Sequence, residues 1–182
     1  MRRIVSAVAL VLAAAPVAAQ ETLRSPYREQ QTSEIRGLSP KEIDDFREGR
    51  GMGLARAAEL NGYTGPRHLL DAVDAGQVHL TPDQLREVNQ LFGAMSAEAR
   101  RLGEKILMEE RALETAFRQG SITEPDLQHR LTRIGQLQAE LRAVHLRTHL
   151  ETRALLTEPQ IQRYNQVRGY AEGGVGQGQH KH

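Results

Sequence analysis

Residues 80–85 read LTPDQL, and this short pattern returns three more times in the chain. The other copies are LSPKEI at 38–43, ITEPDL at 122–127 and LTEPQI at 156–161. In each copy a Ser or Thr can cap a helix, a proline suits the first turn, and an acid or amide three positions after the cap can bond back to it. Four helix starts of this kind predict an all-α protein.

Two long amphipathic helices follow the second and third of these starts. Apolar residues spaced by threes and fours predict one helix from Thr81 to about Gln119 and another from about Glu124 to Leu155. No proline interrupts residues 83–124 or 126–158, as a helix interior requires. Because only a short turn joins the two helices, we expect a long antiparallel helical hairpin, flanked by short helices within residues 39–76.

The second long helix has apolar residues on two sides. One stripe runs from Leu127 to Leu141, and a second line lies roughly opposite, formed by Ala139, Ala143, Leu146, Leu150 and Ala154. A helix that is apolar on two sides must bury both. Either the short helices cover one side or a partner subunit does, and the sequence leaves both alternatives open.

The N-terminal residues 1–19 have the three parts of a secretory signal. Arg2 and Arg3 precede a short apolar run, and small residues predict cleavage after Ala19. We therefore expect export, most simply to a bacterial periplasm. The sequence further predicts a mobile leader over residues 20–37, a helical domain over 38–170 and a disordered Gly-rich tail over 171–182.

Composition and motifs exclude several functional classes. The chain has no cysteine, so disulfides, thiolate metal sites and cysteine nucleophiles are ruled out. Aromatic residues make up 4%, and 24 Lys and Arg residues balance 23 Asp and Glu residues. The sequence therefore has neither the excess of positive charge nor the aromatic side chains that are typical of a nucleic-acid-binding protein. Phosphate-loop, HExxH and G-x-S-x-G motifs are missing from the sequence, so we expect a protein that is not an enzyme.

Two of the four helix starts share a more specific pattern, L-T-x-x-Q. It is formed by Leu80, Thr81 and Gln84, and again by Leu156, Thr157 and Gln160. Two copies that bracket a cysteine-free hairpin behind a signal sequence resemble the periplasmic LTxxQ family, over about residues 38–170. That family includes Spy-like and CpxP-like chaperones and ZraP-like zinc-associated proteins. The resemblance implies an elongated, curved helical dimer without a catalytic centre.

The resemblance also implies a way of working. Spy-like members hold unfolded periplasmic proteins on a concave surface without ATP, through apolar side chains that lie beside charged ones. The candidates for such contacts here are Arg100, Arg101, Lys105, Arg111, Arg142, Arg147, Arg153, Met52, Met95 and Met108. The alternative is that the arginines form an ordinary solvated helix face, interleaved with glutamates such as Glu98 and Glu104.

A histidine pair offers a candidate metal site. His145 and His149 lie four residues apart, which places two imidazoles on one face of a helix. A third ligand for zinc or another divalent ion would come from elsewhere, with His68 and His79 as possible suppliers. The alternative is a partly buried pair at a helix seam, hydrogen-bonded to threonine or backbone groups. We expect no other cofactor.

Together these features predict a periplasmic chaperone or envelope-stress protein that binds unfolded proteins as a homodimer. Two alternatives remain open at this point: a metal-binding or metal-sensing protein, and a regulator that docks on the exported domain of a membrane sensor. The Gly-rich segment 49–67, which contains Arg50, Asn61, Tyr63 and Arg67, also has two interpretations. It is either a loop-borne functional site or a turn region that docks the short helices.

Overall fold

The computed structural model describes residues 24–170, and these residues form helices and no strand. A 3-10 helix at Arg28–Thr32 precedes six α-helices: α1 Pro40–Arg47, α2 Arg56–Glu59, α3 Pro66–Asp74, α4 Pro82–Arg118, α5 Glu124–Leu155 and α6 Glu158–Val167. The prediction of an all-α protein is confirmed for this part of the chain. The predicted signal sequence and the predicted Gly-rich tail lie outside the described residues.

The four predicted starts are the observed starts of α1, α4, α5 and α6. Ser39, Thr81, Thr123 and Thr157 are the N-cap residues. In α1, Glu42 completes the capping box by accepting the Ser39 N–H at 2.8 Å. At the start of α5 the Thr123 hydroxyl accepts from the Asp126 N–H, but the Asp126 side chain does not accept from the Thr123 N–H as the capping box requires. The shorter carboxylate there, on Asp126, pairs instead with Arg130 at 2.9 Å.

The main core lies between α4 and α5, which follow one another through residues 119–123, and α1 packs against it. Its buried members include Leu102 and Ile106 of α4, Leu137 and Leu141 of α5, and Ile43 and Phe46 of α1. α1 approaches α4 closely because position 103 is glycine. A Cβ at Gly103 would lie 2.0 Å from the carbonyl oxygen of Phe46.

A second core joins the two ends of the helical domain. Leu69 and Ala72 of α3 pack with Val78, with Val88 near the start of α4 and with Tyr164 of α6. All five side chains are buried. This cluster fixes α3 and α6 beside the beginning of α4.

The segment 20–37, for which the sequence predicts a mobile leader, differs from that expectation in its described part. Ile35 is fully buried in the main core, and Glu34 pairs with Arg47 at 2.7 Å and also with Arg111. These two arginines, with the Arg47 hydrogen bond dominant, lower the pKa of the Glu34 carboxyl. One apolar anchor and one carboxylate leave no periodic pattern, so the sequence gives no signal for this docking.

The second apolar line of α5 is uncovered in the described part of the chain. We call Ala139, Ala143, Leu146, Leu150 and Ala154 the outer face of α5. Leu150 is 54% exposed, Leu146 is half-buried and the three alanines are exposed. The short helices therefore pack on other sides of α4 and α5 and leave this face to solvent.

Within residues 24–170, none of the helices combines the length and the apolar character that crossing a membrane requires.

Candidate functional site

The two LTxxQ motifs lie side by side and are joined through their glutamines. The Gln84 Nε2 donates to the Gln160 Oε1 at 3.0 Å, and the Gln160 Nε2 donates to the Gln84 Oε1 at 2.9 Å. Gln84 also donates to the Leu155 carbonyl oxygen at 2.8 Å, and Gln160 donates to the His79 carbonyl oxygen at 2.9 Å. Each glutamine thus reaches the carbonyl that immediately precedes the other motif.

The remaining motif residues cap the two helices and pack against the second core. The Thr81 N–H donates to the Oε1 of its own glutamine at 3.0 Å, and the Thr157 N–H does so at 2.9 Å. Leu80 and Leu156 are partly buried against the second core. The contact between the motifs could not be predicted from capping rules. The signal for it is that the two matching pentapeptides lie at the first and last residues of the predicted hairpin, which an antiparallel hairpin brings to the same end.

A cavity of about 780 Å³ lies between the loop of residues 48–65 and helices α3, α4 and α5. The sequence candidates Met52, Met95, Arg100, His145 and His149 all line it. The structure therefore brings together residues that were proposed for two different roles, client binding and metal binding. It also places the Gly-rich segment at the wall of the same cavity.

The other client-binding candidates do not line this cavity. Arg101 donates to Glu98 at 2.7 Å, and Arg111 pairs with Glu34. The Arg153 guanidinium donates to the Gly62 carbonyl oxygen, lies 5.2 Å from the centre of the Tyr63 ring and pairs with Glu158. Arg153 therefore holds the loop against α5. The remaining candidates are exposed to solvent: Lys105, Met108, Arg142 and Arg147.

The loop at the cavity wall is anchored at its start. Arg50 donates to the buried carboxylate of Asp45 at 2.9 Å. Hydrogen bonds from Lys41 and then from Arg50 lower the pKa of that carboxyl. Gly49 has a φ of 63°, and a Cβ there would lie 2.9 Å from the backbone nitrogen of Arg100, so a side chain at this position would push the loop away from α4.

Positive charge in the cavity is only partly neutralised. Arg50 is paired with Asp45, and Arg67 pairs with Asp71 at 3.2 Å and lies 5.8 Å from the centre of the Phe92 ring. Among the described residues, Arg56 and Arg100 have no carboxylate partner. The guanidinium of Arg100 reaches only the Glu48 carbonyl oxygen, at 3.5 Å.

The two histidines of α5 differ in their hydrogen bonding. His149 Nδ1 lies 2.8 Å from the Tyr63 carbonyl oxygen, which can only accept, so Nδ1 carries the proton. His145 is 4% exposed, and its buried Nε2 has no hydrogen-bond partner among the described residues. Burial lowers the pKa of His145, and the neighbouring His149 lowers it further.

A metal site needs a third ligand, and the described residues do not supply it. His68 lines the same cavity, but its Nδ1 lies 3.7 Å from Asp71, while His79 does not line the cavity. Between residues 24 and 170, no three His, Asp or Glu side chains are arranged to hold an ion. The hydrogen bond of His149 to a backbone carbonyl fits the alternative interpretation of the pair, a partly buried contact at a helix seam.

Compared with models of protein families, with characterised proteins and with solved structures, the chain matches none. Two surfaces of the described residues are available for binding: the outer face of α5 and the cavity beside His145.

Proposed function

We propose that this protein is an exported, ATP-independent chaperone of the LTxxQ type that holds unfolded polypeptide segments on the outer face of α5. The observation that carries the proposal is the exposure of that face. Leu150 and three alanines of this line are exposed among residues 24–170, and Leu146 is half-buried. Export and a homodimer built on an antiparallel hairpin of α4 and α5 are parts of the same proposal.

Charge beside the apolar line supports binding of mixed sequences. At about 100° per residue, Arg142 and Arg147 fall on the two sides of the outer face. Both are exposed, and neither makes an ion pair within the described residues. Unfolded segments carry both apolar and acidic side chains. The apolar line can bind the former while the two guanidinium groups bind the latter.

The size of the face favours weak and reversible binding. From Ala139 to Ala154 it is about 22 Å long, at 1.5 Å per residue. Because three of its five residues are alanines, its area is a few hundred Å², below the roughly 800 Å² per partner of a stable interface. A chaperone without ATP must release its client by dissociation alone, so a small face suits that task. The proposed homodimer would then form through another surface.

The test is the aggregation of guanidinium-denatured citrate synthase diluted into buffer with residues 20–182 of this protein, without ATP and with EDTA. Light scattering measures the aggregation. We expect suppression by the unmodified chain and a clear loss of suppression in Leu150→Glu. Leu131→Glu is the matched control, because Leu131 lies on the same helix with similar exposure, 47%, outside the outer face.

Other outcomes would contradict the proposal in different ways. Equal loss in both leucine variants would show that the outer face is not the binding surface. Suppression that requires added zinc would favour a metal-dependent protein that uses His145 and His149. No suppression under either condition would exclude general holding activity and favour a regulator that docks on a membrane sensor. Sedimentation velocity tests the homodimer separately.

A further inference from the structure

We propose that the cavity beside His145 binds a small organic anion, a carboxylate or a phosphate ester attached to an apolar body. This inference does not depend on the chaperone proposal, because the cavity and the outer face of α5 are separate surfaces. It is carried by the convergence of unpaired positive charge, an unpartnered buried imidazole and apolar side chains at one cavity.

The positive charge points to an anion. Arg56 and Arg100 both line the cavity, and neither has a carboxylate partner among the described residues. Two carboxylates, on Glu48 and Glu59, also line the cavity, but neither pairs with these arginines, and Glu59 is paired with Arg168 at 2.7 Å. Two guanidinium groups without such partners can each donate charge-assisted hydrogen bonds to carboxylate or phosphate oxygens.

The buried imidazole supplies an unsatisfied polar atom on a residue that lines the cavity. The Nε2 of His145 is buried without a hydrogen-bond partner, although buried polar atoms are ordinarily paired. His149 is held by the Tyr63 carbonyl, so its ring is fixed beside the same space. In the tautomer that carries its proton on Nε2, His145 can donate to the oxygen of a bound ligand, and that hydrogen bond would satisfy the buried nitrogen.

The rest of the wall defines the body of the ligand. Leu60, Phe92 and Met95 line the cavity, and Leu60 is largely exposed with no other partner for its side chain in the cores described above. The volume of about 780 Å³ lies within the range of small-molecule sites. An aromatic or branched aliphatic anion fits this combination better than inorganic phosphate does.

A strained backbone conformation in the cavity wall also supports a preorganised ligand site. Met52 has a φ of 45°, in the left-handed region that non-glycine residues rarely adopt. It lies between Gly51 and Gly53 and is held by the anchored loop that begins at Gly49. Strained residues of this kind are concentrated at ligand sites, where the surrounding structure holds them in place.

The experiment is isothermal titration calorimetry of residues 20–182 with three probes: phenyl phosphate, phenylacetate and the neutral phenylacetamide. We expect saturable binding of at least one anion and much weaker binding of the amide. Arg56→Gln and Arg100→Gln should each weaken binding about tenfold or more. Arg118→Gln is the control and should leave the affinity unchanged, because Arg118 is an exposed arginine at the C-terminal end of α4 that does not line the cavity.

A second readout separates a ligand contact from a structural effect. NMR titration of the histidine imidazoles should show that the bound anion raises the pKa of His145. In calorimetry, Arg100→Lys should retain part of the affinity that Arg100→Gln loses. The two anionic probes distinguish a carboxylate site from a phosphate site. The inference is overturned if neither anion saturates up to roughly 10 mM, if the amide binds as well, or if Arg118→Gln weakens binding as much as Arg100→Gln.

Discussion

The close approach of α1 to α4 can be tested with two glycines of the same helix. Gly93 and Gly103 both lie inside α4, but nothing lies within 4 Å of a Cβ built at Gly93. Alanine is favoured over glycine in a helix interior by about 1 kcal/mol. Gly93→Ala should therefore raise the free energy of unfolding by up to about 1 kcal/mol, and it serves as the control.

Gly103→Ala should change the stability in the opposite direction. Its Cβ would lie 2.0 Å from the Phe46 carbonyl oxygen, whereas ordinary contacts begin near 3.4 Å, so the end of α1 must move by about 1.4 Å. That movement loosens Ile43 and Phe46, which are buried in the main core. Overpacking costs about 1–3 kcal/mol, and each apolar side chain contributes about 1.5–3 kcal/mol when fully buried. With partial loss of that burial, we expect Gly103→Ala to lower the free energy of unfolding by about 2–4 kcal/mol.

Urea unfolding followed by circular dichroism at 222 nm measures both variants, with the midpoint and the slope fitted separately. The decisive quantity is the difference between the two alanine variants, because the gain in helix propensity is common to both. If Gly103→Ala is as stable as Gly93→Ala, α1 does not dock on α4 through this contact. The close contact between Gly103 and Phe46 would then not contribute to stability.

Three further predictions concern the motifs, the buried imidazole and the loop. Gln84→Ala and Gln160→Ala should each lower the free energy of unfolding by about 1–3 kcal/mol, and a double-mutant cycle should show coupling of about 1 kcal/mol; additive effects would contradict the paired glutamines. Because burial lowers the pKa of His145 in the fold, the unfolded chain binds more protons below about pH 6.5. The full contribution of His145 to the free energy of unfolding should therefore be present above that pH, and it should be lost as the pH falls toward the folded pKa. Urea unfolding at several pH values should show that the free energy of unfolding depends less on pH in His145→Gln; an unchanged pH dependence would refute the prediction. Arg153→Gln should lower the free energy of unfolding by about 1–2 kcal/mol and Arg147→Gln by less than about 0.5 kcal/mol, since only the former side chain contacts the loop; equal effects in thermal unfolding would contradict that assignment.

The elements of this fold could be predicted because their signals are local. A cap, a proline and a return residue lie within five positions, so the starts at Ser39, Thr81, Thr123 and Thr157 were all found. The ends of the long helices followed from where the apolar spacing stops. One capping bond was predicted wrongly. Asp126 satisfies the sequence pattern, but its carboxylate forms an ion pair with Arg130, one turn later, instead of bonding back to the N-cap.

The cavity could not be predicted, because its parts come from distant positions in the chain. Arg56 and Arg100 are 44 residues apart, and His145 is 45 residues further on. Nothing local distinguishes these arginines from solvated ones; what distinguishes them is that the fold places both at the wall of one cavity, without a carboxylate partner among the described residues. Ile35 is a similar case, since a single buried residue creates no periodicity.

The arrangement of the LTxxQ motifs separates what builds this protein from what it can bind. Gln84 and Gln160 use their amide groups on one another, on backbone carbonyls and on their own N-caps. The motifs therefore have few hydrogen-bonding groups left for a ligand or a client. The groups that remain available for binding lie elsewhere: the guanidinium of Arg100, the imidazole of His145 and the apolar side chains of the outer face of α5. It follows that Gln160→Ala should lower stability while leaving the affinity of the folded protein for an anionic probe nearly unchanged, whereas Arg100→Gln should do the reverse. If both variants reduced affinity equally, the motifs would belong to the binding surface and this separation would be wrong.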